Sequence, residues 1–164
     1  MKIKIKKYIK EILVFVVVLT IAMNIVSYYR SLDLNKDQLD ITSFKLLDET
    51  IYEVKADKPL IIYFWATWCP ICKFQSPNIQ KLTKDYEVIT IATDSGSKKA
   101  IKKYMQKKSL SFKVVDDSDG YYARKFNIKV FPTTFIYDKK QNLEFSEVGY
   151  TSTIGLYARM ILSN

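Results

Sequence analysis

The sequence of 164 residues has no histidine, and it contains only two cysteines, four glycines and four prolines. So little glycine and proline, together with 48% hydrophobic residues, argues against a disordered chain and indicates one folded domain. The lack of histidine also argues against a zinc centre, which needs about four ligands, because the chain offers two thiolates and no imidazole. We therefore expect neither a metal nor another cofactor.

Positive charge is in excess, with a formal net charge of +9, but its distribution is uneven. Residues 1–30 hold six basic side chains and one acidic side chain, a net charge of +5, whereas residues 31–164 hold twenty and sixteen, a net charge of +4. More than half of the excess therefore lies at the N-terminus. This distribution does not predict a nucleic-acid-binding surface on the domain.

The N-terminal segment has the pattern of a membrane anchor. Lysines precede an uncharged stretch of 18 residues, Ile12–Tyr29, which as a helix would be about 27 Å long and would match a bilayer core. The lysines are Lys2, Lys4, Lys6, Lys7 and Lys10. They predict a cytoplasmic N-terminus and a domain outside the cytoplasm. A cleaved signal peptide is the alternative, although no small-residue cleavage pattern stands out near Ala22 or Ser27. The expected division is anchor 1–30, linker 31–43 and domain 44–164.

Beyond residue 43, patterns typical of strands alternate with patterns typical of helices, which predicts an α/β fold. Continuous apolar runs at 59–66 and 87–93 have the length of strands that are buried on both faces. Between them we expect a helix from Cys69 to about Tyr86 with one apolar face. The residues at that spacing are Ile71, Phe74, Ile79 and Leu82. Two final strands joined by the turn 139–142 form a hairpin, so the sheet is predicted to be mixed.

Both cysteines lie in the segment "WATWCPIC", residues 65–72, where the first buried strand gives way to the helix. Cys69 is expected at or beside the helix N-cap, and Pro70 at the first helical position, where the missing N–H costs nothing. Unpaired amides and the helix dipole should lower the pKa of the Cys69 thiol and make it the nucleophile. Cys72, one turn further on, is then the resolving thiol.

Two other uses of the cysteines are weaker. Two thiolates could hold a soft monovalent ion, so a copper-carrier module is retained as an alternative of another class. A purely structural disulfide between residues three apart would close a very short loop and so constrain the unfolded chain little. Redox chemistry is the preferred interpretation.

The segments "FWATWCPIC" and "VFPTTFIYD" resemble those of the thioredoxin-like thiol–disulfide oxidoreductases, and the resemblance runs from about Phe44 to the C-terminus. It implies a thioredoxin-like fold with a mixed central sheet flanked by helices. Within that superfamily, "WCPIC", "VITIATDSG" and "DDSDG" are similar to segments of the membrane-anchored bacterial branch related to TlpA and to the copper-sensitivity-suppressor thioredoxin-like protein. This branch implies a single-pass protein of the bacterial inner membrane, with its redox domain in the periplasm.

The resemblance also implies roles for individual residues. Trp68 would shield the cysteine pair, and Pro132 would be a cis-proline facing the disulfide. Its neighbours Phe131 and Thr133 would line the groove for protein clients, although Phe131 is bulkier than is common there.

Pro70 and Ile71 would tune the redox potential, because they separate the two cysteines. The anchored relatives imply a reductant that exchanges disulfides with protein clients and receives electrons from a membrane-embedded thiol reductase. A disulfide-forming oxidant is the alternative direction.

One position departs from the family pattern. Thioredoxins carry a buried carboxylate six residues before the first cysteine, and here that position is Tyr63. The proton acceptor for Cys72 is therefore left open between Glu53, Asp94 and a water molecule.

Overall fold

The computed structural model describes residues 2–163, with side chains from Tyr8 onward. Helix α1, Lys2–Ser31, opens the chain, and its segment Tyr8–Ser31 is long and apolar enough to cross a membrane. Most of its apolar side chains are exposed. The side chains of the lysines at positions 2–7, on which the predicted orientation depends, lie outside the described residues.

Seven strands and four further helices follow α1 in the described part of the chain. They are β1 Ser43–Lys45, β2 Ile51–Glu53, β3 Leu60–Trp65, α2 Pro70–Leu82, β4 Glu87–Thr93, α3 Lys98–Lys107, β5 Lys113–Asp117, α4 Tyr121–Lys125, β6 Thr133–Tyr137, β7 Leu143–Val148 and α5 Thr153–Leu162. The predicted alternation of strands and helices is confirmed. Strands β1 and β2 form a separate antiparallel hairpin.

The central sheet has the strand order β5-β4-β3-β6-β7. Strands β3, β4 and β5 are parallel, while β6 is antiparallel to both β3 and β7, so the sheet is mixed as predicted. Consequently β3, β4, β5 and β7 all finish at the same end of the sheet, where β6 begins. We call this the cysteine end, because Cys69 follows β3 there, and we call the opposite end of the sheet the far end.

Two cores lie on the two faces of the sheet. On one face Tyr63 and Trp65 of β3 pack with the cysteines and with buried residues of α2, α3 and α5. On the other face Ile62 and Phe64 of β3 pack with β1, β2 and the segment around α4. All six residues of β3 are buried, as a central strand requires. Each buried large aliphatic side chain contributes about 1.5–3 kcal/mol.

Within the predicted linker 31–43, Ser31 ends α1 and Ser43 begins β1, while residues 32–42 form no helix or strand but lie along the domain. Leu34 is buried in the second core. The amide of Asn35 donates to the carbonyl of Phe126 at 3.2 Å, and the amide of Leu39 donates to that of Gln141 at 3.0 Å. The segment is therefore an ordered strap.

Helix α2 differs from the prediction in two respects. It ends at Leu82, not near Tyr86, because Thr83 forms the C-cap and the amide of Tyr86 turns back to the Leu82 carbonyl. The predicted apolar face is also wrong for Ile71 and Phe74, which are exposed. The buried face is formed instead by Cys72, Gln75, Ser76, Asn78, Ile79 and Leu82.

Candidate active site

The site is built on the junction between β3 and α2. Cys69 is the N-cap of α2, with an extended backbone (φ −72°, ψ 117°), and its sulfur accepts a hydrogen bond from the Cys72 amide at 3.2 Å. Pro70 occupies the first turn, where no backbone N–H is needed. The Cys69 amide donates to the Ala66 carbonyl at 3.2 Å, which closes the turn out of the strand.

Cys69 and Cys72 are joined as a disulfide, with their Cα atoms 5.3 Å apart. The exposed fraction is 3% for Cys69 and 0% for Cys72, so of the two cysteines only Cys69 keeps any exposed surface. A reaction partner therefore has more access to Cys69 than to Cys72. The Cys69 sulfur lies at the positive end of the helix and accepts a hydrogen bond from the Cys72 amide. This arrangement favours a thiolate at Cys69 once the disulfide is reduced.

Trp68 directly precedes Cys69 and is 57% exposed. Its indole Nε1 donates to the Asp94 carbonyl at 2.9 Å, and its ring meets that of Phe131 edge to face, with centroids 5.8 Å apart. The indole is thus held between the loops that follow β4 and precede β6. Ile71 and Phe74, the latter 72% exposed, extend the apolar rim along α2.

The loop before β6 brings the other candidate residues to the cysteine end. The Phe131–Pro132 peptide bond is cis, and the Pro132 carbonyl accepts from the Gly149 amide at 2.8 Å. Thr133 is only 1% exposed, and its hydroxyl donates to the Val130 carbonyl at 2.8 Å. The Thr133 side chain therefore supports the loop from below and does not line a surface groove.

Tyr63 and Ser76 form a buried hydroxyl pair on the α2 side of the sheet, with their oxygens 3.3 Å apart. Ser76 lies one helical turn after Cys72, so this pair belongs to the same core as Cys72. Burial raises the pKa of Tyr63, and the phenol therefore stays neutral. The position of the thioredoxin carboxylate is thus occupied by a neutral group.

Neither carboxylate considered from the sequence lies in this buried layer. Glu53 is exposed on β2. The adjacent Tyr52 donates a hydrogen bond to Glu87, which lies opposite Leu60 at the far end of the sheet, away from the cysteines. Asp94 is exposed and contributes its backbone carbonyl to Trp68. Among residues 8–163, no group of three or more cysteine or carboxylate side chains is arranged to hold a metal ion.

Sequence reasoning missed Asp117, which is fully buried at the end of β5. Its carboxylate accepts from the Thr93 hydroxyl at 2.8 Å and from the amides of Tyr122 and Ala123 at 2.8 and 3.1 Å. Burial raises the pKa of Asp117, against these bonds, which lower it. Asp117 thereby joins the loops after β4 and β5, including the Asp94 segment that holds Trp68. An aspartate directly after a buried strand in "DDSDG" was the available signal.

A disulfide at the N-terminus of the helix that follows the central strand of this mixed sheet defines a thioredoxin-like thiol–disulfide oxidoreductase. Comparison with known proteins agrees. Residues 35–146 match the AhpC/TSA family, and the chain belongs to that family. The predicted fold and enzyme class are thereby confirmed.

Individual proteins and structures are similar to this chain. A "Thioredoxin-like protein" of Haemophilus influenzae is 30% identical over 163 residues, which cover 98% of this chain and 97% of that protein. The thiol-disulfide oxidoreductase ResA of Oceanobacillus iheyensis is 30% identical over 96 residues, 56% of this chain and 48% of ResA. The crystal structure of StoA from Bacillus subtilis superposes with a TM-score of 0.64 at 22% identity, covering 71% of this chain and 93% of StoA.

Proposed function

We propose that this protein is a membrane-anchored, TlpA-like thiol–disulfide oxidoreductase that exchanges disulfides with protein clients outside the cytoplasm. The observation that carries the proposal is the Cys69–Cys72 disulfide at the start of α2, in which Cys69 keeps a small exposed fraction and Cys72 is fully buried. Helix α1 supplies the anchor in the bacterial inner membrane, with its lysine-rich start in the cytoplasm. The redox domain then faces the periplasm.

Cys69 and Cys72 have different roles when the protein reduces a client. The Cys69 thiolate attacks one sulfur of a client disulfide, and the client's other sulfur leaves as a thiolate that takes up a proton. Cys72 then loses its proton, and its sulfur attacks Cys69. The client's remaining sulfur is released as a second thiol and the Cys69–Cys72 disulfide forms. Two electrons pass to the client, which also gains one proton from Cys72 and one from solvent. The reverse sequence oxidises a dithiol.

The surrounding residues receive roles from their positions. Trp68 shields the disulfide, and Phe131 with Pro132 forms the side of the client groove that faces Trp68. Thr133 holds that loop through its bond to the Val130 carbonyl. Client recognition is assigned to the loop before β6, because β6 itself is paired on both sides whereas backbone groups of a loop can bond an extended peptide.

The preferred direction is reduction, with electrons supplied by a membrane-embedded thiol reductase. Pro70 and Ile71 provide neither a charge nor a hydrogen-bond donor that would stabilise the Cys69 thiolate deeply. We therefore expect a reduction potential nearer the roughly −270 mV of thioredoxin than the roughly −120 mV of a strongly oxidising periplasmic enzyme. A potential near the second value would assign the alternative, disulfide-forming direction.

A trapping experiment tests the proposal. Cys72→Ser should accumulate mixed disulfides with protein clients, because the intermediate on Cys69 is no longer resolved, whereas Cys69→Ser should form none and should not reduce insulin. If both variants trapped clients equally, the role assignment would be wrong. Retention of one Cu(I) per reduced chain against a competing chelator, without disulfide exchange, would move the protein to the copper-carrier class.

A further inference from the structure

Helix α1 is docked onto the redox domain near its C-terminal end. Ser27 is only 9% exposed, although most apolar side chains of this helix are exposed. Its hydroxyl accepts a hydrogen bond from the Val148 amide at 3.0 Å and donates to Glu147 Oε2 at 3.2 Å. Ser31, one turn further on, is buried as well. The end of edge strand β7 is therefore covered by the helix.

Glu147 extends this contact to a third element. Its other oxygen, Oε1, accepts a hydrogen bond from Arg159 Nε of α5 at 2.7 Å and lies 2.6 Å from Arg159 Nη2. Both side chains are largely buried, so the two-point ion pair is held in one geometry. One carboxylate thus connects α1, β7 and α5, and the helix cannot pivot freely about the domain.

The docked end of α1 lies at the cysteine end of the sheet. Val148 pairs with Thr133 at the start of β6, and the next amide, that of Gly149, donates to the Pro132 carbonyl. Phe131 precedes Pro132 and contacts Trp68. A short series of direct contacts therefore leads from the helix to the residue before Cys69.

The path of the chain after α1 is consistent with this placement. Asp33 pairs with Lys129, just before β6, at 2.9 Å. The strap then reaches Gln141, in the turn between β6 and β7, through the Leu39 amide. The chain therefore leaves the helix at the cysteine end and runs toward the far end.

The position of Ser27 along α1 determines how close the domain lies to the bilayer. The uncharged stretch ends at Tyr29, two residues and about 3 Å beyond Ser27. We infer that α1 holds the domain with its cysteine end facing the membrane, so that Cys69 exchanges disulfides with a membrane-embedded protein whose cysteines lie at the bilayer surface. This inference rests on the anchoring and on the membrane-embedded partner proposed above, and it adds the orientation that brings Cys69 to that partner.

The surface of the two ends fits that orientation. Exposed aromatic and apolar side chains follow the strands at the cysteine end: Trp68, Ile71, Phe74, Tyr121 and Tyr150. Tryptophan and tyrosine are the side chains that favour membrane interfaces. The turn at the far end instead exposes Lys139 and Lys140. A site that faces the membrane is approached most directly by a protein that is itself embedded there.

Fluorescence quenching tests the orientation in the full chain, reconstituted in phosphatidylcholine vesicles that contain a lipid with a nitroxide on its headgroup. Three proteins are compared: the wild type, Trp68→Phe, and Trp68→Phe combined with Lys140→Trp. The buried Trp65 contributes equally to all three. Position 140 lies at the other end of a strand layer about 20 Å long. We expect the contribution of Trp68 to be quenched several-fold more strongly than that of the tryptophan at position 140. Equal quenching, or stronger quenching at position 140, would overturn the inference.

Exchange kinetics test the partner class. The probe is a transmembrane peptide with one interfacial cysteine, bound as a disulfide to glutathione, and the comparison is its soluble segment bearing the same disulfide. Reduced wild type in the same vesicles should react several-fold faster with the membrane peptide. Ser27→Ala should lose that advantage, and Ser27→Thr, which keeps the hydroxyl, should restore it.

Oxidised glutathione in solution is the control substrate for folding and chemistry. Wild type, Ser27→Ala and Ser27→Thr should all react with oxidised glutathione at the same rate. Failure of the wild type to react with it would refute the proposed oxidoreductase function and leave the quenching result standing. If the soluble segment reacted as fast as the membrane peptide, or if Ser27→Ala kept the full advantage, the partner assignment would be rejected. Strong quenching without a kinetic advantage would indicate contact with lipid only, and would also reject it.

Discussion

Asp117 allows a stability prediction whose size follows from its contacts. Asp117→Ala removes the acceptor of three hydrogen bonds, from the Thr93 hydroxyl and from the amides of Tyr122 and Ala123. A buried donor left unpaired costs about 1–3 kcal/mol, and the two amides lie in a half-buried turn that water can reach. We therefore expect a loss of about 3 kcal/mol in the free energy of unfolding. At a urea m-value of about 1.5 kcal/mol/M, the midpoint falls by about 2 M.

The measurement is a urea titration of the full chain in detergent micelles, followed by tryptophan fluorescence. The matched control is Asp116→Ala, since Asp116 bonds the Ser118 amide in an exposed turn and should cost less than about 0.5 kcal/mol. Because burial raises the pKa of Asp117, the folded state binds its proton more tightly than the unfolded state. The wild type should then lose stability relative to Asp117→Asn as pH rises from about 3.8. Equal midpoints for Asp117→Ala and Asp116→Ala would refute the reasoning.

Three further predictions concern other parts of the molecule. Burial would raise the pKa of Glu87, but hydrogen bonds from two lysines and a tyrosine outweigh burial and lower the pKa to about 2. Glu87→Gln should therefore reduce the free energy of unfolding by about 1 kcal/mol at pH 7. In denaturant titrations this difference should disappear as pH falls from about 4.5 toward 2. Trp68→Ala removes the contacts to Phe131 and the Asp94 carbonyl, so insulin reduction should slow several-fold while the urea midpoint changes little; an unchanged rate would contradict the shielding role. In the reduced protein, alkylation at mildly acidic pH should label Cys69 before Cys72, as peptide mapping would show, and equal labelling would contradict the assignment.

Features that depend on local pattern could be predicted from the sequence. Strand β4 has the predicted limits because its apolar run matches a strand buried on both faces. The N-cap at Cys69 and the first-turn Pro70 follow from residue types alone. The position of the cysteine pair at a strand-to-helix junction is therefore a property of the local sequence.

Features that depend on contacts distant in sequence could not be predicted. Ile71 and Phe74 have the spacing of a buried face, but the face of α2 that packs on the core is the one that carries Cys72, Gln75 and Ile79, so the two side chains are exposed. Ser27 lies within an apolar run, and its partner Val148 is 121 residues away. The burial of Asp117 depends on Thr93 from the neighbouring strand. In each case the deciding partner belongs to another element.

The Glu87 ion pairs at the far end contribute to stability at a distance from the redox site, unlike Asp117, which lies at the cysteine end. Glu87 pairs with Leu60 at the start of β3, and Trp65 ends that strand, so about 17 Å separates the Glu87 ion pairs from the turn that carries Cys69. That distance is about twice the Debye length at physiological ionic strength, and Lys55 and Lys113 already compensate the Glu87 charge. Glu87→Gln should therefore change the stability of the domain without changing the reduction potential of the disulfide. Substitutions at Trp68 act in the opposite way, because the indole contacts the rim of the site and is largely exposed. A measured shift in potential for Glu87→Gln would mean that the far end is electrostatically coupled to Cys69 and that the two properties cannot be changed independently.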